Sequence, residues 1–289
     1  MRFPISWLSK RFYLLWTITS LAFLCFPNSA SSGEVLISFD RKTRHQDISK
    51  FRSANGPYNF SKIKKILPTK EGLDQLHVSA SGQLSEQNIR SLRASMSPGI
   101  KLILVDLRRE QHGLLNGEPI SWLGEGKKKN EQETIACLNG KRELVVHDRN
   151  GQVYTISKLN LKTEADVAHN LGIETKRFPC KDHTPPPEDV IDQFVTFVEG
   201  LDSNTWVHLH CHEGAGRATT FMIMFDMLHH ANKISKSEIM RRQYFLGGVD
   251  IAGYDRYANF NNFLDQFYQF ARMRSQDKSL SWSRYTQLN

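Results

Sequence analysis

The sequence predicts an α/β fold, a central sheet flanked by helices, with a small β-rich insert. Three observations predict it. KLILVDL at 101–107 is a continuous apolar run and WVHLH at 206–210 a short strand-like one; the first has the pattern of a strand covered on both faces. Helical patterns alternate with such strands, the order expected of an α/β architecture. Residues 113–160 break the alternation. They carry Asn116-Gly117, Asn139-Gly140 and Asn150-Gly151, each a hairpin-turn signal beside short strands such as ELVVH and VYTIS.

The elements follow in order. Arg2, Lys10 and Arg11 precede an apolar run from Phe12 to Phe26, and small residues follow at Ser29, Ala30, Ser31 and Ser32. That order predicts a secretory signal peptide over residues 1–30. The alternative is an uncleaved anchor, although the run falls short of the roughly 20 residues a spanning helix needs. Residues 31–289 then form one domain, with 113–160 as an inserted subdomain. Residues 34–82 read as mixed and loop-rich. Ser85 caps a helix, SEQNIRSLRASM, which ends at Pro98-Gly99. Thr163-Glu-Ala-Asp166 opens a short helix that stops at Gly172. ETKRFPC reads as a strand. After Pro185-Pro186-Pro187, Val190, Ile191, Phe194, Val198 and Leu201 share one face of an amphipathic helix. RATTFMIMFDMLHH is apolar enough for a buried helix. Two more helices follow, near SKSEIMRRQYF and RYANFNNFLDQFYQFARM, where Phe263, Phe267, Tyr268 and Phe270 read as packing residues.

Composition excludes little. The chain of 289 residues is 39% hydrophobic and 24% charged, which is ordinary for a globular protein. Its formal charge of +8 becomes +5 without residues 1–30, a balance that suits an anionic ligand. Without zinc-finger spacing or a long basic helix, nucleic acid is not an expected partner. A membrane is expected only through the N-terminal export segment. Lys127-Lys128-Lys129 reads as a solvated loop or a binding patch. Three cysteines remain after residue 30: Cys137, Cys180 and Cys211. Their spacing fits no zinc site. Cys137 and Cys180 are candidates for a disulfide or for small buried residues.

The most informative segment is His210-Cys-His-Glu-Gly-Ala-Gly-Arg217. It lies between an apolar strand and an apolar helix. A loop that wraps an oxyanion must turn successive N–H groups inward, and Gly214 and Gly216 permit the dihedrals this needs. His212, Glu213 and Ala215 complete the loop. The helix that follows offers free N–H groups and the positive end of its dipole. The same groups favour a thiolate at Cys211. Arg217 has the planar fork to hold two oxygens of a phosphate. Thiolate, guanidinium and amides supply this chemistry with no metal and no cofactor.

The segment matches the HCxxGxGR signature of the protein-tyrosine-phosphatase superfamily. It most resembles the bacterial tyrosine-phosphatase-like phytases, the cysteine phytases that dephosphorylate myo-inositol hexakisphosphate. GLDQLHVSASGQLSEQN (72–88), VDLRREQHGLLNGEPISW (105–122), DHTPPPEDVIDQF (182–194) and RRQYFLGG (241–248) carry that closer resemblance. It spans roughly residues 50–270. It implies a tyrosine-phosphatase-like central sheet with a small barrel-like insert and a small anionic substrate, an inositol polyphosphate.

The resemblance makes Cys211 the nucleophile and Asp182 the general acid, which protonates the leaving oxygen and then activates water. Otherwise Asp182 is a turn residue. Arg52 matches an arginine that contacts substrate phosphate. Asp106 and His112 match pocket residues, or Asp106 holds Arg217 or Arg108 in place. His183 is a phosphate contact or a loop support. Gln243 positions water or is a solvated helix residue. Two positions depart from the family pattern. Ala218 stands where a serine or threonine is usual, followed by Thr219 and Thr220. The stretch VDIAGYDRYANF carries only Arg256 where lysines are common. A phosphotyrosine or phosphoinositide phosphatase, including one delivered into a host cell, and a phosphate-binding module with weak catalysis are the alternative functions.

Overall fold

The computed structural model describes residues 36–40, 47–59, 61, 67–123, 131–253 and 258–288. The export segment, the Lys127–Lys129 triplet and Arg256 lie outside the described residues.

A five-stranded sheet runs in the order β10-β4-β11-β3-β2. It comprises β2 (Arg52–Ser53), β3 (Val78–Ser81), β4 (Lys101–Arg108), β10 (Glu174–Cys180) and β11 (Thr205–His210). All pairings are parallel except that of β2 with β3. The centre of the sheet is buried on both faces, and side-chain alternation divides it between two cores. Ile103, Val105, Leu107, Val207 and Leu209 pack toward α4 (Glu188–Glu199), α5 (Gly216–His230), α6 (Lys236–Phe245) and α7 (Ala258–Gln276). Leu102 and Leu104 pack toward α1 (Glu86–Ala94) and α3 (Glu164–Asn170). A strand with helices on both sides must be apolar at nearly every position, which is why KLILVDL lacks alternation.

Local signals account for the helix ends. Ser85 and Thr163 each form a reciprocal capping box, with Asn88 and Asp166. Pro187 starts α4, which buries Val190, Ile191, Phe194, Val195 and Val198. Every residue of α5 from Arg217 through Met227 is buried. The packing aromatics meet an unforeseen helix, α8 (Trp282–Leu288). Trp282 packs edge-on against Phe263 and Phe270 and tilted against Phe267. Seven residues are too few to show a helical period, and Asp192 of α4 holds this helix by accepting from the backbone N–H groups of Trp282 and Ser283.

The second sheet has six strands in the order β8-β7-β1-β6-β5-β9. They are β1 (Leu36–Phe39), β5 (His112–Leu115), β6 (Glu118–Leu123), β7 (Leu144–His147), β8 (Val153–Ile156) and β9 (Leu161–Lys162). With α2 (Glu131–Asn139) they enclose a separate core of Ile37, Leu115, Ile120, Trp122, Leu138 and Val146. Asn116 and Gly117 have φ of 52° and 85°, as a tight hairpin turn requires. Two features differ from the sequence expectation. Asn139-Gly140 closes α2 instead of a hairpin, and the Asn139 side chain bonds both backbone groups of Leu161. The sheet also takes a central strand, β1, from far upstream. A four-residue strand with one buried position, Ile37, leaves too faint a pattern to assign.

Candidate active site

The loop from Cys211 to Gly216 joins β11 to α5 at the carboxyl ends of the parallel strands. Its shape follows from two carbonyls pinned outward. His212 O accepts the backbone N–H of Gln83 at 3.1 Å, and Gly214 O accepts Nη1 of Arg52 at 2.9 Å. With these carbonyls turned out, no protein acceptor among the described residues meets the N–H groups of residues 212–217. Gly214 has φ of +70°, and a Cβ there would lie 2.4 Å from the Gly82 nitrogen. No side chain fits that position without moving the end of β3. The N-terminus of α5, capped by no side chain, adds its dipole to the same hollow.

Cys211 is buried, 2% exposed, on the α5 side of the sheet. Arg217 is equally buried. Its Nη1 and Nη2 donate to Oε2 and Oε1 of Glu110 at 2.7 and 2.9 Å, and Nη1 also reaches Cys180 O at 3.1 Å. Nε of Arg217 is buried without a hydrogen bond, and lies 3.3 Å from Oδ1 of Asp182. Burial opposes the charge of Arg217, but Glu110 and Cys211 outweigh it and raise its pKa. Glu110 also accepts Nε of Arg108 at 3.0 Å. Against the penalty of burial, the Arg217 hydrogen bond and the Arg108 charge hold Glu110 down to about 2. Arg108 is fully buried and also bonds Asp40, Gln83 and Ser121. Arg108 and its acid partner Glu110 therefore fix the plane of the Arg217 fork.

Asp182 lies on the loop between β10 and α4, with its side chain 50% exposed. Its contacts are Arg217, the backbone N–H of His183 at 3.2 Å, and Nε2 of His183 at 3.5 Å. His183 is exposed and has φ of +59°, a conformation that costs a non-glycine residue free energy. The structure thus brings Cys211, Arg217, Asp182 and His183 to one side of the loop.

Other predicted residues sit differently. Arg52 is buried, and its Nη atoms go to Lys50 O, Gly214 O and Thr219 Oγ1. It braces the loop from behind. Burial lowers its pKa to about 10 while the Cys211 charge opposes that. Asp106 does not hold Arg217. It accepts the Arg108 backbone N–H and pairs with Nε of Arg177 at 2.9 Å, because Glu110 already occupies the Arg217 fork. His112 is buried in the same network, 3.6 Å from Asp106 and 3.0 Å from Glu110 O. Gln243 is not solvated: it is 1% exposed, and Nε2 donates to Asp226, the acid that also pairs with Arg242. Thr219 Oγ1 accepts from Arg52 and from the Val249 N–H. Ala218 is fully buried. Cys137 is exposed and Cys180 buried, and both thiols are free. The disulfide is absent. Burial pushes the Cys180 thiol up to about 12.

Several site residues escaped the sequence reading. Glu110 follows an apolar strand in LRREQ, and charge directly after a buried strand was the available signal. Arg149, on the β7–β8 turn, pairs with Glu213 and lies 3.2 Å from Nε2 of His212. Lys50 lies 3.8 Å from Glu213. Both cations thus pair with Glu213, a residue of the loop itself. Chemically, the arrangement can hold a tetrahedral oxyanion, attack it with sulfur, and deliver a proton from a carboxyl group on the open side.

The PTP-like phytase family model, described as inositol hexakisphosphate, matches residues 128–229. The effector protein hopD2 of Pseudomonas syringae pv. tomato is 27% identical over 272 residues, 84% of this chain and 57% of that one. The PTP-like myo-inositol phosphatase of Mitsuokella multacida, solved with myo-inositol-(1,3,4,5)-tetrakisphosphate, superposes with a TM-score of 0.79 at 26% identity. That match covers 90% of this chain and 48% of the other. A PTP-like phytase from Bdellovibrio bacteriovorus gives a TM-score of 0.68 at 23% identity over 89% of this chain and 96% of its own, a likeness of fold. The chain thus spans about half the length of the first two relatives.

Proposed function

We propose, because residues 128–229 match the PTP-like phytase family model and the fold superposes on that of a PTP-like myo-inositol phosphatase, that the chain is a cysteine-dependent phosphomonoesterase acting on myo-inositol hexakisphosphate and lower inositol polyphosphates. One observation carries this reading: the buried Cys211 sulfur beneath free loop amides, with the unpaired Nε of Arg217 facing the exposed Asp182. Bound phosphate completes the hydrogen bonds that the loop amides and Nε lack. The thiolate attacks phosphorus and the inositol oxygen leaves. Asp182 gives that oxygen its proton, which an alkoxide needs more than a phenoxide does. Asp182, now a carboxylate, takes a proton from water, which displaces sulfur and releases phosphate. Arg217 holds the equatorial oxygens through both steps. Lys50 and Arg149 are placed to meet phosphates elsewhere on the ring.

A second reading rests on the relationship to an effector protein across 84% of the chain. It makes the substrate a phosphotyrosine protein or phosphoinositide and the protein a delivered effector. Ranking kcat/KM on inositol hexakisphosphate, a phosphotyrosine peptide and a phosphoinositide vesicle separates the two; the first reading requires inositol hexakisphosphate to lead. Export by the N-terminal segment is part of both readings and is tested by fractionating cells and sequencing the mature N-terminus. A chelator should leave turnover intact and vanadate should abolish it. If Cys211→Ser binds inositol hexakisphosphate as the parent does and the parent turns nothing over, the protein is a binding module.

A further inference from the structure

His210 and Cys211 are neighbours in the chain but face opposite sides of the sheet. The period of two puts Val207, Leu209 and Cys211 in the α5 core, and Trp206, His208 and His210 on the α3 side. On that side Nε2 of His210, fully buried, lies 2.7 Å from Oε1 of Glu164, the first residue of α3. The contact is outside hydrogen-bond angles and is an ion pair. The other oxygen, Oε2, accepts Nε2 of Gln83 at 2.6 Å. Gln83 in turn bonds Arg108 through its Oε1 and the loop carbonyl of His212 through its backbone N–H. Glu164 is thus joined to both the histidine before the nucleophile and the outer wall of the loop.

Resting on the reading of Cys211 as nucleophile, we infer that Glu164 is a positioning residue that keeps His210 cationic and thereby sets the pH at which Cys211 becomes a thiolate. A carboxylate buried against an imidazole needs the proton on the ring to balance its charge. The pair is neutral overall, but its positive end belongs to the residue that precedes Cys211 and its negative end lies beyond it on α3, so its field at the sulfur favours the anion. The surrounding charges are compatible. Asp106 and Arg108 of β4 face His210 with opposite signs, His112 of β5 faces Glu164, and burial keeps His208, two residues before His210, neutral with its ring nitrogens against Ser79 and Ser81. Burial would lower the His210 pKa, but Glu164 outweighs it and raises the value.

The test is the pH dependence of Cys211 alkylation by iodoacetamide in the full chain, which needs no substrate. Glu164→Gln keeps the shape and removes the charge. Its alkylation midpoint should rise, and at the parent's midpoint alkylation should slow about fivefold, the loss that a one-unit rise gives. The acid limb of kcat/KM should move with it. A folded variant with the parent's midpoint overturns the inference even if its melting temperature falls. Should that variant fail to fold, nitrogen chemical shifts of His210 in the parent decide. An imidazolium persisting above pH 7.5 supports the role, and a neutral ring at pH 7 overturns it. Failure to hydrolyse inositol hexakisphosphate with normal alkylation behaviour would count against the substrate, not against Glu164.

Discussion

The two loops of the site are built in opposite ways. The Cys211–Arg217 loop is clamped from every side: Gln83 and Arg52 hold its carbonyls, Gly214 abuts β3, and Glu110 fixes the arginine. The Asp182 loop is half exposed, and among the described residues the Asp182 carboxylate meets Arg217 and His183 in its hydrogen bond and ion pairs. The difference matches the two tasks. An anion cradle works by being preorganised, so that no free energy is lost to reorganisation during reaction. An acid must reach the leaving oxygen of a bulky substrate, give up a proton and later take one from water, which requires access. Stability and catalysis should therefore separate between the two loops.

The sharpest break of that contrast is Arg217→Lys. It should lower kcat about 10³-fold, because a point charge cannot replace the fork, and it should also lower the melting temperature by stranding Glu110. Asp182→Asn should cost about 10²-fold in kcat and shift stability by no more than about 0.5 kcal/mol. Its defect should shrink on a phenyl phosphate, whose leaving group needs less protonation. If Asp182→Asn melts early, the contrast between the loops is wrong. Glu110→Gln should destabilise by about 1–3 kcal/mol, as expected when the buried guanidinium of Arg217 loses its charged partner, with calorimetry as the check.

Ala218 gives a smaller effect. A hydroxyl here would stabilise departing sulfur, so the parent should show a burst of product before slow turnover. Ala218→Ser should shrink that burst, whereas Ala218→Thr must fit two more atoms into a fully buried site at about 1–3 kcal/mol. An unchanged burst in a folded Ala218→Ser variant removes this role. The gentlest probe is acid. Glu110 is held at about 2 against an ordinary 4.5, so its contribution is complete above pH 4.5 and fades as pH falls toward 2. Melting temperature should drop across that window, and less so in Glu110→Gln.

The same contrast explains what the sequence revealed. The clamped loop is written locally: a strand, two glycines and a helix in succession identify it without knowledge of the rest. The parallel strands and capped helices were legible for the same reason. The braces come from elsewhere in the chain: Arg52 from β2, Glu110 after β4, Glu164 from α3 and Arg149 from the second sheet. No periodicity records a hydrogen bond or salt bridge between residues dozens to more than a hundred positions apart. The alternative reading of Asp106 as a partner of Arg217 or Arg108 went half right: it accepts the Arg108 backbone N–H, while the Arg217 fork went to Glu110, four positions on. Of the two readings of Gln243, the solvated one fails because a polar residue in a helix looks solvated until the helix is packed.

The central claim is tested most directly by trapping the intermediate. The protein is mixed with inositol hexakisphosphate, quenched in acid within the burst, digested, and the peptide bearing Cys211 is weighed. A phosphate adduct on Cys211, absent from Cys211→Ser and accumulating further in Asp182→Asn, is the predicted result. Phosphate released at equal rates by the parent and Cys211→Ser, with no adduct on that peptide, would contradict it.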